Sequence, residues 1–324
     1  TVQSGIPRID FLGNTNGALK LEPQRTNLYA YSEDFSKSAW TKSASTVTIT
    51  SNVAPDGTTN SVYNLTGTNA NLYTGGTAGI EYTISVYAKS NGQGKDNFKL
   101  RLGNNVSSSI IVTDEWVRYE FTSTPTTTVF GLTVDGSPNN EWDILIWGAQ
   151  LEQASYPTSY IPTQGSTVTR NLETCTGAGN DQVINSTEGV LYAEISNYVH
   201  NSNITLSDGT NANNLIISIN INSGRIDVNL KVGNAYQFIF NYTADITILH
   251  KIAVKYKEND FALWIDGVEV LTDTSGITAP TNTFDRLNFS SANTASNLFY
   301  GNTKDVRVYN TALTDGELAT LTTL

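Results

Sequence analysis

Apolar residues alternate with Thr, Ser and Lys along most of this chain, in short runs separated by clusters of Asn, Asp and Gly. A period of two over four to eight residues is the pattern of half-buried strands, so serial antiparallel strands are predicted. In the first half the runs are Val47–Thr50, Tyr82–Ala88, Phe98–Leu102, Trp116–Phe121 and Val129–Val134. A further run, Ile144-Leu-Ile-Trp147, is apolar at every position and predicts a central strand covered on both faces. Pro55-Asp-Gly57, Asn91-Gly-Gln-Gly94 and Asp135–Asn140 supply turn residues between them.

The alternation lapses from Tyr156 to Arg170, where two prolines sit in an extended stretch, and a linker is expected at 166–171. A second series follows: Val190–Ile195, Leu215–Ile221, Arg225–Val232, Lys251–Tyr256, Phe261–Ile265, Val268–Leu271 and Asp305–Tyr309. Glu258-Asn-Asp260 and Asp266-Gly267 fall between apolar runs, so 251–271 is predicted to be consecutive hairpins. Thr314-Asp-Gly-Glu317 has the spacing of a capping box ahead of Leu318 and Leu321, which predicts one short C-terminal helix. The expected fold class is therefore all-β, with two antiparallel β-sandwich (jelly-roll) domains in tandem at 27–165 and 172–324. Residues 1–26 fit neither and are expected to be a connecting segment packed along the first sandwich.

Composition narrows the chemistry. Thr, Asn and Ser make up about a third of the 324 residues, which gives an amide- and hydroxyl-rich surface. The formal net charge of −11 would repel a polyphosphate, so no nucleic acid partner is expected. No apolar run is long enough for a membrane helix, and no insertion is expected. The single Cys175 precludes an intramolecular disulfide and is expected to be a semi-buried thiol. A chain starting at Thr1 with no Met suggests a fragment or a processed product. Six N-glycosylation sequons are present, and about eight arise by chance at this Asn, Ser and Thr content, so they carry no signal.

Longer motifs carry a resemblance. Leu21-Glu-Pro-Gln-Arg-Thr-Asn-Leu28, Tyr31-Ser-Glu-Asp-Phe35 with Trp40, Trp147-Gly-Ala-Gln-Leu-Glu152 and Thr158-Ser-Tyr-Ile-Pro-Thr163 together resemble the carbohydrate-binding-module-like jelly roll of bacteriophage tail and fibre proteins. The likeness spans about residues 5–170. His250–Lys257, Asn259–Gly267, Tyr300-Gly-Asn and Asp305–Leu318 resemble the concanavalin A-like, laminin-G-like lectin fold over about 172–324. The pairing implies a glycan-binding portion of a phage tail or head fibre, extracellular on the virion, which attaches it to cell-surface polysaccharide beside other virion proteins. Two alternatives stand: a structural decoration or spacer protein, and accessory modules of a secreted bacterial glycan-degrading enzyme. Single-site sugar affinity is often near millimolar, about −4 kcal/mol, so several copies, a homotrimer for example, are expected.

No catalytic residue is expected. Glycoside hydrolysis needs two carboxylates at a set separation, and Glu141-Trp-Asp143 lacks the third acid of Glu-x-Asp-x-x-Glu, Ile146 standing there instead. His200 and His250 are the only histidines and have no triad or zinc context. No cofactor is required, and the candidate ion is a structural calcium, which carboxylates and carbonyls suit. By the jelly-roll resemblance its ligands would come from Glu33, Asp34 or Asp143. A pyranose offers C–H groups to a ring face and hydroxyls to polar neighbours, so aromatic residues beside polar loops are the sugar-binding candidates. These are Trp40, Tyr73 and Trp142 in the first half and Tyr198, His200, Tyr236 and Tyr242 in the second. Trp40 and Trp142 are the favoured rings where exposed, the alternative being that they cover the ends of the core, as most Trp residues are largely buried. Trp264, mid-strand, is expected in the core.

Overall fold

The computed structural model describes residues 8–11, 17–134, 141–197, 201–220, 224–293 and 296–324, and within them the alternating runs become antiparallel strands with one helix, Asp315–Thr322. The chain forms two units, Gln24–Asn171 and a second made from Thr1–Pro23 together with Leu172–Leu324. Tyr198, His200 and the turn Asp135–Asn140 lie outside the described residues.

In Gln24–Asn171 the strands order as Val117–Ser123, Tyr82–Ser90, Glu141–Glu152, Val62–Gly75, Val129–Thr133 and Asn97–Leu102, with Thr41–Thr50 also paired to Val62–Gly75. Glu141–Glu152 is central and buried over nearly its whole length, as its unbroken apolar run predicts. The longest strand, Val62–Gly75 with 14 residues, has no counterpart among the predicted runs. Asn64, Gly67, Asn69 and Asn71 interrupt its alternation, and the chain bends where they do. Its first half registers against Glu141–Ile146 and its second against Val129–Thr133. Between them Asn69 takes a left-handed conformation at φ 52°. At the bend a Cβ on Gly67 would run into the Ala44 carbonyl oxygen, so the close approach demands glycine. One strand thereby pairs with two different neighbours along its length, and Leu65 and Leu72, on either side of Asn69, join one core with Ile84, Phe98, Phe130 and Ile144.

The second unit is a two-sheet sandwich. Val268–Asp273, Phe261–Ile265, His250–Lys257, Glu188–Asn197, Gly301–Tyr309 and Ala18–Leu21 make one sheet, closed by Ile9–Asp10. Ala235–Thr243, Arg225–Val232, Asn214–Asn220, Ser202–Ser207 and Arg286–Asn288 make the other. Leu191, Ala193, Ile195, Ile252 and Val254 from the first sheet meet Ile204, Leu215, Ile217, Val228 and Phe240 from the second. The opposite face of the first sheet is also apolar, with Val190, Tyr192, Ala253 and Trp264, and the helix covers it with fully buried Leu318. The capping box forms: Thr314 Oγ1 accepts from Glu317 N, and Glu317 Oε2 accepts from Thr314 N at 2.8 Å. Asp266 and Gly267, at φ 50° and 85°, make the two-residue hairpin turn predicted for them.

Residues 18–21 correct the expectation that the N-terminal segment packs along the first sandwich. Leu19 and Leu21 register against Thr303 and Gly301, and Leu21 is 4% exposed in the core of the second sandwich. Without this strand the backbone groups of Gly301–Thr303 would face outward unpaired on that side. Glu22 N donates to Glu173 Oε2 at 2.8 Å and Glu173 N to Glu22 O at 3.0 Å, so the outgoing and returning chain are stitched together. Arg8 Nη2 reaches Glu22 Oε2 and Glu173 Oε2, both at 2.6 Å. In chain order, then, Gln24–Asn171 interrupts the second sandwich. Leu21→Ala should destabilise the C-terminal sandwich by about 2–4 kcal/mol, the cost of a buried Leu truncation. Hydrogen exchange read peptide by peptide should show faster exchange in Glu188–Tyr309 and none of the effect in Tyr82–Glu152.

Candidate functional site

The polar residues of the first unit's motifs are used to close a loop over the strand ends. Asn27, fully buried, donates from Nδ2 to Ile161 O at 2.9 Å and accepts at Oδ1 from Tyr29 N and Leu151 N, both at 3.1 Å. Gln150 Oε1 accepts from Ile161 N at 2.7 Å, while its Nε2 donates to Glu152 Oε2 at 2.7 Å. Glu152 also accepts from Thr158 N at 2.8 Å and Thr158 Oγ1 at 2.5 Å. These bonds fix 158–163 beside 31–35. Tyr160 then brings its hydroxyl to 2.6 Å from Ser32 Oγ and 2.9 Å from Glu33 Oε1. The result is an open concavity of about 590 Å³, walled by Glu33, Asp34, Tyr63, Pro162 and Gln164 and edged by Ile49 and Val168.

Its two adjacent acids are held differently. Burial pushes the Glu33 carboxyl above the usual carboxylate range, the Tyr160 hydrogen bond opposes this, and the charge of Asp56 adds to it. Burial acts on Asp34 the same way, but donors from Ser36 and Tyr63, with Lys37 alongside, outweigh it and leave that carboxyl below its usual range. Asp143 stands apart from this pair, accepting from Asn91 Nδ2 at 2.8 Å. Glu141 is tied to Lys95 at 2.6 Å. Among the described residues no group of three His, Cys, Asp or Glu side chains is arranged to hold a metal ion.

The aromatic candidates separate on inspection. Trp40 and Trp142 are 2% and 1% exposed, which corrects their place among the sugar-stacking candidates and agrees with the alternative that they belong to the core. Trp40 packs on Tyr29 and Phe35 and donates its indole N–H to Tyr31 O at 2.8 Å, and Trp142 lies within the same core. For Trp142 in Glu141–Glu152, polar neighbours in sequence mark the strand's other face and the large ring takes the inner one. Trp40 lies in the turn before Thr41–Thr50, its N bonded to Lys37 O at 3.1 Å. Tyr73 is half-buried in Val62–Gly75, opposite Gly131 and Thr41. Tyr236 and Tyr242 lie next to the two ends of Ala235–Thr243, on opposite faces. A register shift between Leu230 and Lys231 exchanges the faces, so Tyr242 leans on the core while Tyr236 is 54% exposed. Lys231 Nζ sits 4.5 Å from the Tyr236 ring centroid. Trp264 is in the core as expected, at 7% exposure. His250 is buried at 8%, with Nδ1 2.6 Å from Asp266 Oδ2 and Nε2 2.8 Å from Asp245 O. Cys175 is half-buried, and burial raises its thiol.

The outward face of the five-stranded sheet assembles Tyr236 with residues that no sequence motif marks. Its cross-strand rows are Ile216–Asn229–Ile239, Ser218–Asp227–Asn241 and Lys231–Tyr236, the last ending on Asn214, which is buried at 1% exposure. An apolar row is thus flanked by polar rows on both sides. Arg225 braces one row, its Nη2 donating to Asp227 Oδ2 at 2.9 Å. The signal lay in Arg225-Ile-Asp-Val-Asn-Leu-Lys-Val232, whose odd positions are all polar or charged. Reading it needs the register of the two neighbouring strands. Residues 191–319 match the concanavalin A-like lectin/glucanases superfamily. This match takes in the outward face and most of the second sandwich, so this lectin-like unit has the fold that the C-terminal motifs implied. No curated protein matches the chain by sequence. Similar solved structures include the carbohydrate-binding module of a Ruminococcus gnavus sialidase, at 18% identity and TM-score 0.39, covering 47% of this chain and 97% of that one. Domain 4 of an extracellular arabinanase from Geobacillus stearothermophilus gives 12% identity and TM-score 0.37, covering 48% and 73%. The mouse laminin α1 LG4-5 pair gives 9% and 0.30, covering 95% and 96%.

Glu33 binds its proton more tightly in the folded chain than in the unfolded one. Stability is therefore lost as pH rises from the ordinary carboxylate value through the raised one. Tyr160→Phe, which removes the opposing hydrogen bond, should raise the Glu33 carboxyl further, and Asp56→Asn should lower it. Side-chain carboxyl NMR titration checks both directions, and a shift of the same sign in the two variants would contradict the assignment of causes.

Proposed function

We propose that the chain is a non-catalytic glycan-binding pair of modules, whose lectin-like unit lays an oligosaccharide across the outward face of its five-stranded sheet. The observation that carries this is the register of Ile216, Asn229 and Ile239 between two polar rows. A sugar ring has the same layout, with C–H groups on its face and hydroxyls at its edge. The isoleucines and the Tyr236 ring meet the faces, while Asp227, Asn241, Ser218 and Lys231 are within the range of edge hydroxyls. The reading needs no cofactor. With one such face at millimolar affinity, attachment would come from several copies, which a homotrimer would supply. In the setting implied by the sequence motifs, the carrier is a phage tail or head fibre and the partner a cell-surface polysaccharide.

A second reading keeps the same face and changes the carrier. The superfamily matched by 191–319 joins lectins with glucanases, which favours an accessory module of a secreted glycan-degrading enzyme. Both readings place the chain outside the host cell, and both rest on the same binding measurement.

A glycan array probed with a multivalent display of the full chain should retain specific polysaccharides. Tyr236→Ala should weaken the retained signal about two- to tenfold, as loss of one ring contact does, and Asn229→Ala should weaken it further. Empty arrays, or retention that neither substitution changes, would remove the proposal.

A further inference from the structure

The concavity of Gln24–Asn171 lies in the other unit and shares no residue with the lectin-like face. Several of its polar groups have unused capacity. Asp34 does not: Oδ1 accepts from Ser36 N at 3.1 Å and Tyr63 Oη at 2.8 Å, and Lys37 Nζ is 3.3 Å from Oδ2. Thr163 is also committed, its Oγ1 donating to Tyr29 O at 2.7 Å. Glu33 accepts only at Oε1, from Tyr160, so Oε2 has no partner among the described residues. The Asn60, Gln164 and Ser166 side chains likewise make no hydrogen bond among the described residues and edge the same space. Ile49, 52% exposed, and Val168, 38% exposed, give it an apolar rim. Among the described residues no Lys or Arg lines it.

Each of these features selects against some ligands. An anion would meet Glu33 with no cation to hold it. An apolar molecule would bury three free polar side chains without partners, at about 1–3 kcal/mol each. A bare divalent ion would find one free carboxylate oxygen, the amide oxygens of Asn60 and Gln164 and the Ser166 hydroxyl, still fewer than the six to eight oxygens that calcium takes and with a single charge among them. What remains is a polyhydroxylated molecule with one cationic group: hydroxyls for the amides and Ser166, C–H faces for Ile49 and Val168, and a charge-assisted bond to Glu33. We propose that this concavity is a second saccharide site, selective for sugars that carry a free ammonium group, independent of the lectin-like face.

Isothermal titration of the full chain with chitosan oligosaccharides, against the same oligosaccharides fully N-acetylated, tests it. The free-amine form should bind at least tenfold more tightly. Glu33→Gln should reduce it to the level of the acetylated form, and Gln164→Ala should weaken both. Ser166→Lys, at an exposed position that leaves the Tyr160 network intact, should abolish the preference for the amine even if Glu33→Gln perturbs folding. Tyr236→Ala should change nothing here, which separates this site from the face proposed above. Equal affinity for the two oligosaccharides, an amine preference that survives Ser166→Lys, binding lost with Tyr236→Ala, or no heat in either titration would each overturn it.

Discussion

The first sandwich depends on a set of buried polar side chains that have no route to water. Asn27, Gln150 and Glu152 are fully buried and Thr158 nearly so. A buried carboxyl or amide without partners costs several kcal/mol, so such groups persist only where the geometry satisfies them together. Here it does: each side chain bonds to backbone in the loop that follows Glu141–Glu152 or to another member of the set. The loop's path is thus dictated by the hydrogen-bonding needs of the strand beneath it. Because Tyr160, Pro162 and Gln164 ride on that loop, the concavity and its rim inherit their positions from residues that never touch a ligand.

The second sandwich is governed by a different constraint, the passage of the chain out of it and back. Glu22 and Glu173 are 5% and 8% exposed and share the Arg8 guanidinium. Two carboxylates so close would repel, and one cation between them together with the backbone donors offsets that cost. Beyond this cluster Arg25–Asn27 and Val168–Arg170 pair as two short strands, so the chain leaves and re-enters as a matched pair. That arrangement lets about 150 residues intervene in a sheet without breaking it, since loop-closure entropy grows only slowly once the ends are held.

This topology explains what was legible in the sequence and what was not. Strands with clean alternation, such as Phe98–Leu102 and Arg225–Val232, could be read locally because each has one buried face and one more open face. Phe261–Ile265, buried on both faces, was legible as a short apolar run between turn residues. Val62–Gly75 could not be read that way, because it changes partner strand around Gly67 and Asn69, where the backbone leaves the extended conformation, and so loses its period there. Ala235–Thr243 escaped for a related reason: Phe238, Ile239 and Phe240 are consecutive apolar residues, yet Ile239 points outward and is 56% exposed. Residues 18–21 were misplaced since nothing local reports pairing with Gly301–Thr303, almost the whole chain away. The same limit governed the sites. Trp142 stands beside polar residues in sequence, but a strand puts its neighbours on the opposite face. Trp40 is turned inward by a turn closed on Lys37 and by its indole bond to Tyr31 O, neither of which a local pattern reports. The outward rows at Asn229 exist only as a relation among three strands, and Glu33 was singled out for a metal without any view of Tyr160 or Gln164 beside it.

The net charge of −11 also takes on a different meaning once the charges have positions. At physiological ionic strength a charge is screened over about 8 Å, so a bound ligand responds to the groups lining its site and scarcely to the total. On the lectin-like face Asp227 is braced by Arg225, and Lys231 sits over Tyr236, so acid and base are interleaved and a neutral sugar is not disfavoured. In the concavity the one carboxylate with an open oxygen has no basic residue in the lining, and Asp56 adds to its negative field. One chain therefore presents two polar surfaces of similar composition but different local charge. The difference comes from pairing: where a carboxylate is matched by a guanidinium its field is spent within the protein, and where it is matched only by a tyrosine hydroxyl it remains available to a cation from outside.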